Sequence, residues 1–248
     1  MNWNTLMFLI FPYVAVVLAV VFTIYRMQTK PFSVSALSSQ LLERRLLFFG
    51  SISFHWGILI ILTGHLLALL VPKGLLLWNA MPLRLYLLEV TGLALALWAG
   101  AGLWILLVRR ISVSRVRVVT TSMDTVVLLL LLVSVITGVL TATQFRFGSY
   151  WFPAVFTPYL WSLLTLRPRP ELVADLPMVV QLHVATFFVL LAVFPFSRLV
   201  HLITVPLGYL FRPWQIVIWV RRPKGQRAPS SSTASTPPHL VSQRRIGD

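Results

Sequence analysis

Five stretches of this chain are free or nearly free of charge and long enough to cross a bilayer as helices: Thr5 to Tyr25, Leu46 to Val71, Leu85 to Val108, Thr125 to Phe145 and Leu176 to Phe196. With 58% apolar and only 11% charged residues, the chain falls outside the soluble class. The expected fold is all-α and integral to a membrane, with five transmembrane helices. The first run begins almost at Met1, has no basic segment ahead of it and is too long for a signal peptide, so it reads as a retained span.

In a soluble protein, 21 Lys and Arg against 6 Asp and Glu would suggest nucleic acid. Here the basic residues sit between and after the apolar runs, where they report orientation, and no nucleic-acid partner is expected. The segments from Arg26 to Arg45 and from Arg109 to Arg117 hold four each. The second loop has only Lys73 and Arg84, and the fourth offsets Arg146, Arg167 and Arg169 with Glu171 and Asp175. The positive-inside rule then puts the N-terminus outside and the C-terminus in the cytoplasm. Apolar sequence continues past Arg198 through Phe211, about 36 residues or roughly 54 Å if wholly helical, which predicts a fifth helix protruding into the cytoplasm. Residues 1–222 form the membrane domain in this reading. The Pro-, Ser- and Thr-rich residues 223–248 have the composition of a flexible cytoplasmic tail.

Cysteine is absent, which excludes disulfides, thiolate zinc sites, cysteine-held iron–sulfur clusters and covalent c-type haem attachment. Any metal must be held by nitrogen or oxygen. Four of the five histidines lie on two spans, His55 and His65 on the second, His183 and His201 on the fifth; His239 is in the tail. Taken singly, each reads equally well as a core histidine bonded to a backbone carbonyl, but four together on two spans point to function. His55 and His65 are separated by about 15 Å of helix rise, His183 and His201 by about 27 Å, so one small ion cannot reach all four. Two cofactors, each gripped by one histidine from each helix, fit this spacing, and a bis-histidine haem is the common cofactor of that kind.

Depth selects the pairs. His65 and His183 lie about 9 and 10 Å from the outer ends of their spans and would share an outer haem, leaving His55 and His201 for an inner one. The two separations differ by about 12 Å, which helix tilt, a kink at Pro195 and inclined haem planes must absorb. Arg198, one turn before His201, is a candidate partner for a haem propionate, and reads equally as a snorkelling interfacial residue. Gly57, Gly64 and Gly138 lie in or beside this region; Gly64 is the better candidate for close approach to a cofactor, and Gly138 reads first as helix packing.

At these residues the chain resembles a known family. Phe194-Pro195-Phe196-Ser197-Arg198-Leu199-Val200-His201 with Val205-Pro206 resembles the last-span signature of the respiratory nitrate reductase gamma subunit. Ser38-Ser39-Gln40 ahead of Phe54-His55 and Gly64-His65 resembles its second-span pattern, and Arg115-Val116-Arg117 with Thr120-Thr121 its inner loop. The resemblance covers roughly residues 5 to 215 and implies a five-span cytochrome b with two haem b groups. It implies His65 and His183 as ligands of the outer, distal haem, and His55 and His201 as ligands of the inner, proximal haem. It further implies oxidation of quinol from the membrane pool near the outer face. An iron–sulfur beta subunit and a molybdenum-containing alpha subunit on the cytoplasmic side would receive the electrons, so that this chain alone does not reduce nitrate. The setting would be a bacterial or archaeal cell membrane.

The quinol-site candidates are Gly64, His65, Arg84 and Tyr86. A lysine found near the start of span three in some members gives way here to Tyr86, which reads more readily as an interfacial anchor. Glu89 is the one carboxylate expected within a span, available to accept a proton or to pair with Arg84 about one turn away. Rival readings are a gamma-like subunit of a heterodisulfide- or sulfite-reducing complex, a metal-ion or small-solute transporter using the histidines, and a cofactor-free anchor. A compact four-histidine site is out of reach at these separations.

Overall fold

Each apolar run folds as a helix, because a backbone surrounded by hydrocarbon must satisfy its N–H and C=O groups within its own segment. The computed structural model describes residues 3–29, 39, 42–145 and 147–203, all within one compact unit that ends at Val205. The helices are α1 (Trp3–Thr29), α2 (Arg45–Leu70), α3 (Pro82–Ser112), α4 (Ser122–Gln144) and α5 (Met178–Val193), the last extended to Phe196 by a 3-10 turn. All five are long and apolar enough to cross a membrane, and no strand occurs among the described residues. The domain boundary expected at residue 222, the tail, and the stretch from residue 204 through Phe211 lie outside the described residues.

Large apolar side chains such as Val17, Leu87, Val90 and Trp104 face outward, the reverse of a soluble protein and the arrangement for which lipid is the solvent. Neighbouring helices follow the order α2, α3, α4, α5, α1. The α2–α3 contact is the most extensive, and small residues make it close. A Cβ on Gly102 would stand 2.5 Å from the Phe54 nitrogen and 2.8 Å from the Gly50 oxygen. One on Gly57 would stand 2.8 Å from the Ala99 Cβ, so Gly57 serves helix packing.

The fourth loop is far from a simple polar connection. Residues 148–164 form successive helical turns that supply much of the core, where Phe156, Tyr159 and Leu163 pack with Phe8, Ala15, Val184 and Phe188. The Tyr159 hydroxyl, fully buried, donates to the Phe8 carbonyl at 2.9 Å, inside a π-helical turn of α1. Thr157 Oγ1 and Trp161 Nε1 donate to the carbonyls of Ala68 and Leu69, capping the end of α2. This segment positions the His65 end of α2 against α1 and α5.

The fifth span is interrupted at Pro195, where a kink was expected, and the interruption goes beyond a kink. After Val193 the chain makes a 3-10 turn over Phe194–Phe196, becomes extended at Ser197 (φ −108°, ψ 178°) and resumes as a 3-10 turn over Arg198–Leu202. Pro195 has no N–H, and its ring crowds the carbonyl four residues earlier, so the α-helical ladder cannot pass it. The carbonyls freed by the interruption are satisfied locally. Arg26 Nη1, from the end of α1, donates to the oxygens of Pro195 and Ser197, each at 2.7 Å. Ser197 Oγ donates to the Phe194 oxygen and accepts from the Leu199 N–H. His183 and His201 therefore do not lie on one straight helix.

Candidate functional site

The four span histidines share one local feature. His55 Nδ1 lies 2.8 Å from the Ser51 oxygen, His65 Nδ1 2.8 Å from the Ile61 oxygen, His183 Nδ1 3.0 Å from the Ser134 oxygen, and His201 Nδ1 2.6 Å from the Arg198 oxygen. A carbonyl oxygen only accepts, so each Nδ1 must carry the proton and donate it. In a neutral imidazole that leaves Nε2 with its lone pair, the form a metal ligand needs, oriented by a backbone partner. Among the described residues no Nε2 of the four makes a hydrogen bond.

The structure brings the histidines together in two pairs. The ring centroids of His55 and His201 are 6.2 Å apart. A metal–imidazole bond of about 2 Å plus a ring radius of about 1.1 Å, doubled for ligands on opposite sides of one ion, gives roughly 6 Å. The pair therefore fits the separation of two imidazoles clasping one iron. His65 and His183 lie within electrostatic range of one another, His65 edge-on to Phe152 at 5.1 Å. Among the described residues no three His, Asp or Glu gather to hold one ion. Helices α2 and α5, which carry His55, His65 and His183, pack on α3 and α4 respectively and do not pack extensively on each other, and His201 follows α5 on a separate 3-10 turn.

His183 is held from α4. Besides the Ser134 carbonyl, Thr137 Oγ1 lies 3.1 Å from its Nδ1, and a Cβ on Gly138 would stand 3.1 Å from its Cε1. Gly138 thus serves the imidazole, where the sequence favoured plain helix packing. Gly138→Ala pushes against a ring fixed by two polar contacts on the same helix. The expected result is a displaced His183, with His55 and His201 unaffected; were His183 a haem ligand, one of two bands in the reduced-minus-oxidised spectrum would shift. At His65 the opposite holds: a Cβ on the neighbouring Gly64 would meet nothing within 4 Å, which leaves the backbone beside that imidazole approachable.

The sequence profile of the family described as "Nitrate reductase gamma subunit" matches residues 4–220. The chain belongs to that family. It is 33% identical over 211 residues to the nitrate reductase gamma chain of Bacillus subtilis, covering 84% of this chain and 94% of that one. To the respiratory nitrate reductase 1 gamma chain of Escherichia coli it is 31% identical over 219 residues, 86% and 96% of the two chains. It is also 35% identical over 214 residues to the nitrate reductase-like protein NarX of Mycobacterium tuberculosis, 83% of this chain but 32% of that longer one.

In this gamma-family chain the remaining candidates are distributed as follows. Tyr86 is exposed and its ring lies 5.9 Å from that of Phe147, while Phe152 of the same connecting segment touches His65. One segment thus links the start of α3 with the His65 couple. Arg84 does not pair with Glu89, as the spacing allowed; its guanidinium lies over the Trp78 ring at 4.9 Å. Glu89 Oε1 instead accepts from Ser149 N at 2.7 Å and Ser149 Oγ at 2.5 Å, and Asn79 Nδ2 donates to the Ser149 oxygen. These bonds anchor the turn that Phe147 enters with a left-handed backbone (φ 66°).

Arg198, offered by the sequence as a propionate partner, turns its Nε toward Asp124 Oδ1 at 3.0 Å. Asp124 is a second carboxylate within a span, in the first turn of α4, where the sequence counted Glu89 alone. Ser134, Thr137 and Asp124 were not singled out from the sequence. A Ser-x-x-Thr-Gly run on a span hints at polar contacts, but no spacing along the chain says which histidine it meets.

Proposed function

We propose that this chain is the quinol-oxidising, dihaem cytochrome b subunit of a membrane-bound respiratory nitrate reductase. Electrons enter near its outer face and leave inward to iron–sulfur and molybdenum subunits. The observation that carries the reading is the set of four histidines, each with Nδ1 held by a backbone carbonyl and Nε2 left without a hydrogen bond, and the close approach of His55 to His201. His65 and His183 would hold the outer haem b, His55 and His201 the inner. Bound there, haem supplies reversible one-electron transfer at a potential set by ligands, hydrogen bonds and burial. The names of the Bacillus and Escherichia relatives, both gamma chains, support membership in a multi-subunit nitrate reductase. The basic segments Arg44–Arg45, Arg109–Arg110 and Arg115–Arg117 support a cytoplasmic location for that end of the bundle.

The chain's own residues have separable tasks. Ser51, Ile61, Ser134 and Arg198 orient the four ligands through their carbonyls. Arg198 keeps guanidinium N–H groups beyond the one facing Asp124, which suit a propionate. Gly64 and His65, with Arg84 and Tyr86 at the start of α3, would border the quinol headgroup; all four are exposed at the helix surface, open to a lipid-borne substrate. A transporter reading has less support, since the histidines stand as two couples. The test is a spectrum of the purified, dithionite-reduced protein. Two b-type haems per chain, both reducible by a quinol analogue, are expected; a colourless protein after haem-replete expression sinks the proposal.

A further inference from the structure

The His201 ligand sits beyond the break in the fifth span, on a 3-10 turn that a helix ladder does not hold in place. Its imidazole is oriented by the carbonyl of Arg198, so the setting of that carbonyl decides where Nε2 points. Two groups fix the segment from outside. Arg26 Nη1 grips the carbonyls of Pro195 and Ser197 on one side. On the other, Asp124 grips the Arg198 side chain with Oδ1 at 3.0 Å, while its Oδ2 is held by Arg110 Nη1 at 3.1 Å and by the Thr121 N–H at 3.0 Å.

Asp124 is itself buried and rigid. It is the third residue of α4, in a capping box whose other half is Thr121 Oγ1 accepting from the Asp124 N–H at 3.2 Å. Its carboxylate is therefore a fixed point on α4 to which a short, irregular turn of another element is tied. Arg109 is committed elsewhere, to Glu43 and Ser39, so the tie is made by Arg110 and Arg198 with this one acid.

We propose that Asp124 is a positioning residue for the inner haem, acting through Arg198 to set the carbonyl that orients His201. This rests on the ligand assignment proposed above. The link runs from the Asp124 carboxylate to the Arg198 guanidinium, through that residue's own backbone to its carbonyl, and on to His201 Nδ1. A shift anywhere along it rotates the imidazole relative to His55 and changes how both bind one iron.

The experiment is a redox titration and low-temperature EPR spectrum of both haems in the complete membrane protein, comparing wild type with Asp124→Asn, Arg198→Met and the double variant. Asparagine keeps an oxygen for the Thr121 N–H, so D124N preserves the cap while weakening the Arg198 tie. Each single change is expected to shift the inner haem's midpoint potential and its low-spin EPR signal in the same direction, leaving the outer haem in place. The double variant should move no further than Arg198→Met alone, because the two residues act in one chain. Asp124→Glu should restore part of the shift. Were Asp124 acting only through its charge, the two single changes would move the potential in opposite directions, which overturns the positioning role. So does an unchanged inner haem in D124N, an equal shift of both haems, or an equal shift in Thr121→Val, which loosens the cap without touching Arg198. A wild-type protein lacking two haems overturns the ligand assignment as well, and is told apart because it precedes any variant.

Discussion

On the ligand assignment proposed above, replacing His183 with alanine is expected to leave one b-type haem on the chain and to abolish quinol-dependent reduction of the complex. The same is expected of His65→Ala, while His55→Ala and His201→Ala spare the outer haem and remove the inner. Losing an orienting partner of a metal-bound histidine costs about 10–100-fold in affinity or activity, so losing the ligand itself exceeds that range. Thr137→Val, which deletes one of the two polar contacts to His183 Nδ1 and keeps the other, falls within it. Haem content per chain and the resolved bands of the reduced spectrum measure each outcome. If every one of the four substitutions erased both haems alike, the division into a His65–His183 couple and a His55–His201 couple would be untenable.

The second large effect lies at the end of α3. Arg109, 3% exposed, donates from Nε to Glu43 Oε2 at 2.7 Å, from Nη1 to Ser39 Oγ, and from Nη2 to the carbonyls of Ser39 and Glu43. It staples the chain ahead of α2 to the end of α3. Arg109→Ala removes the donor to two carbonyls and to the Ser39 hydroxyl and leaves the part-buried Glu43 carboxylate with only its Leu46 and Leu47 N–H donors, a loss of about 1–3 kcal/mol. The variant should unfold several degrees below wild type in detergent, measured by circular dichroism or by loss of monodisperse protein on heating.

The staple also carries an acid dependence of definite sign. Burial alone would raise the Glu43 carboxyl, but hydrogen bonds from the Leu46 N–H, Arg109 and the Leu47 N–H outweigh it and hold the group below 4.5. A carboxyl whose folded value is lowered contributes stability that is complete above its unfolded value and lost as pH falls through the lowered one. Wild type should therefore lose stability on acidification below about pH 4, and Arg109→Ala should lose less over the same interval, because one cause of the shift has gone. An equal acid loss in both proteins would detach Glu43 from this role.

The five helices were readable because a bilayer imposes a length and an apolar composition that no side-chain detail can override. The boundaries expected from charge fall within a few residues of α1 to α4. At the fifth span the sequence pointed to a kink at Pro195 but not to its extent: the missing N–H ends the α-helix, Ser197 is extended, and the chain resumes only as a 3-10 turn. The sequence reading treated the fourth loop as a connection, although Phe156, Tyr159 and Leu163 make it part of the core. Asp124 was passed over because a carboxylate at the edge of an apolar run looks interfacial until its two arginine partners are known.

For the candidate site the division follows the same line. The expectation that four histidines on two spans, with no cysteine to compete, serve two separate centres rests on residue identity and helix rise, which are local properties of the chain. The company each keeps is another matter. Ser134 and Thr137 beside His183, Asp124 tied to Arg198, Arg26 at the broken helix and the 6.2 Å approach of His55 to His201 all join residues from different helices. Rotation of a helix about its axis and the angle of a break are set by packing against neighbours, and no spacing along one strand of sequence encodes them.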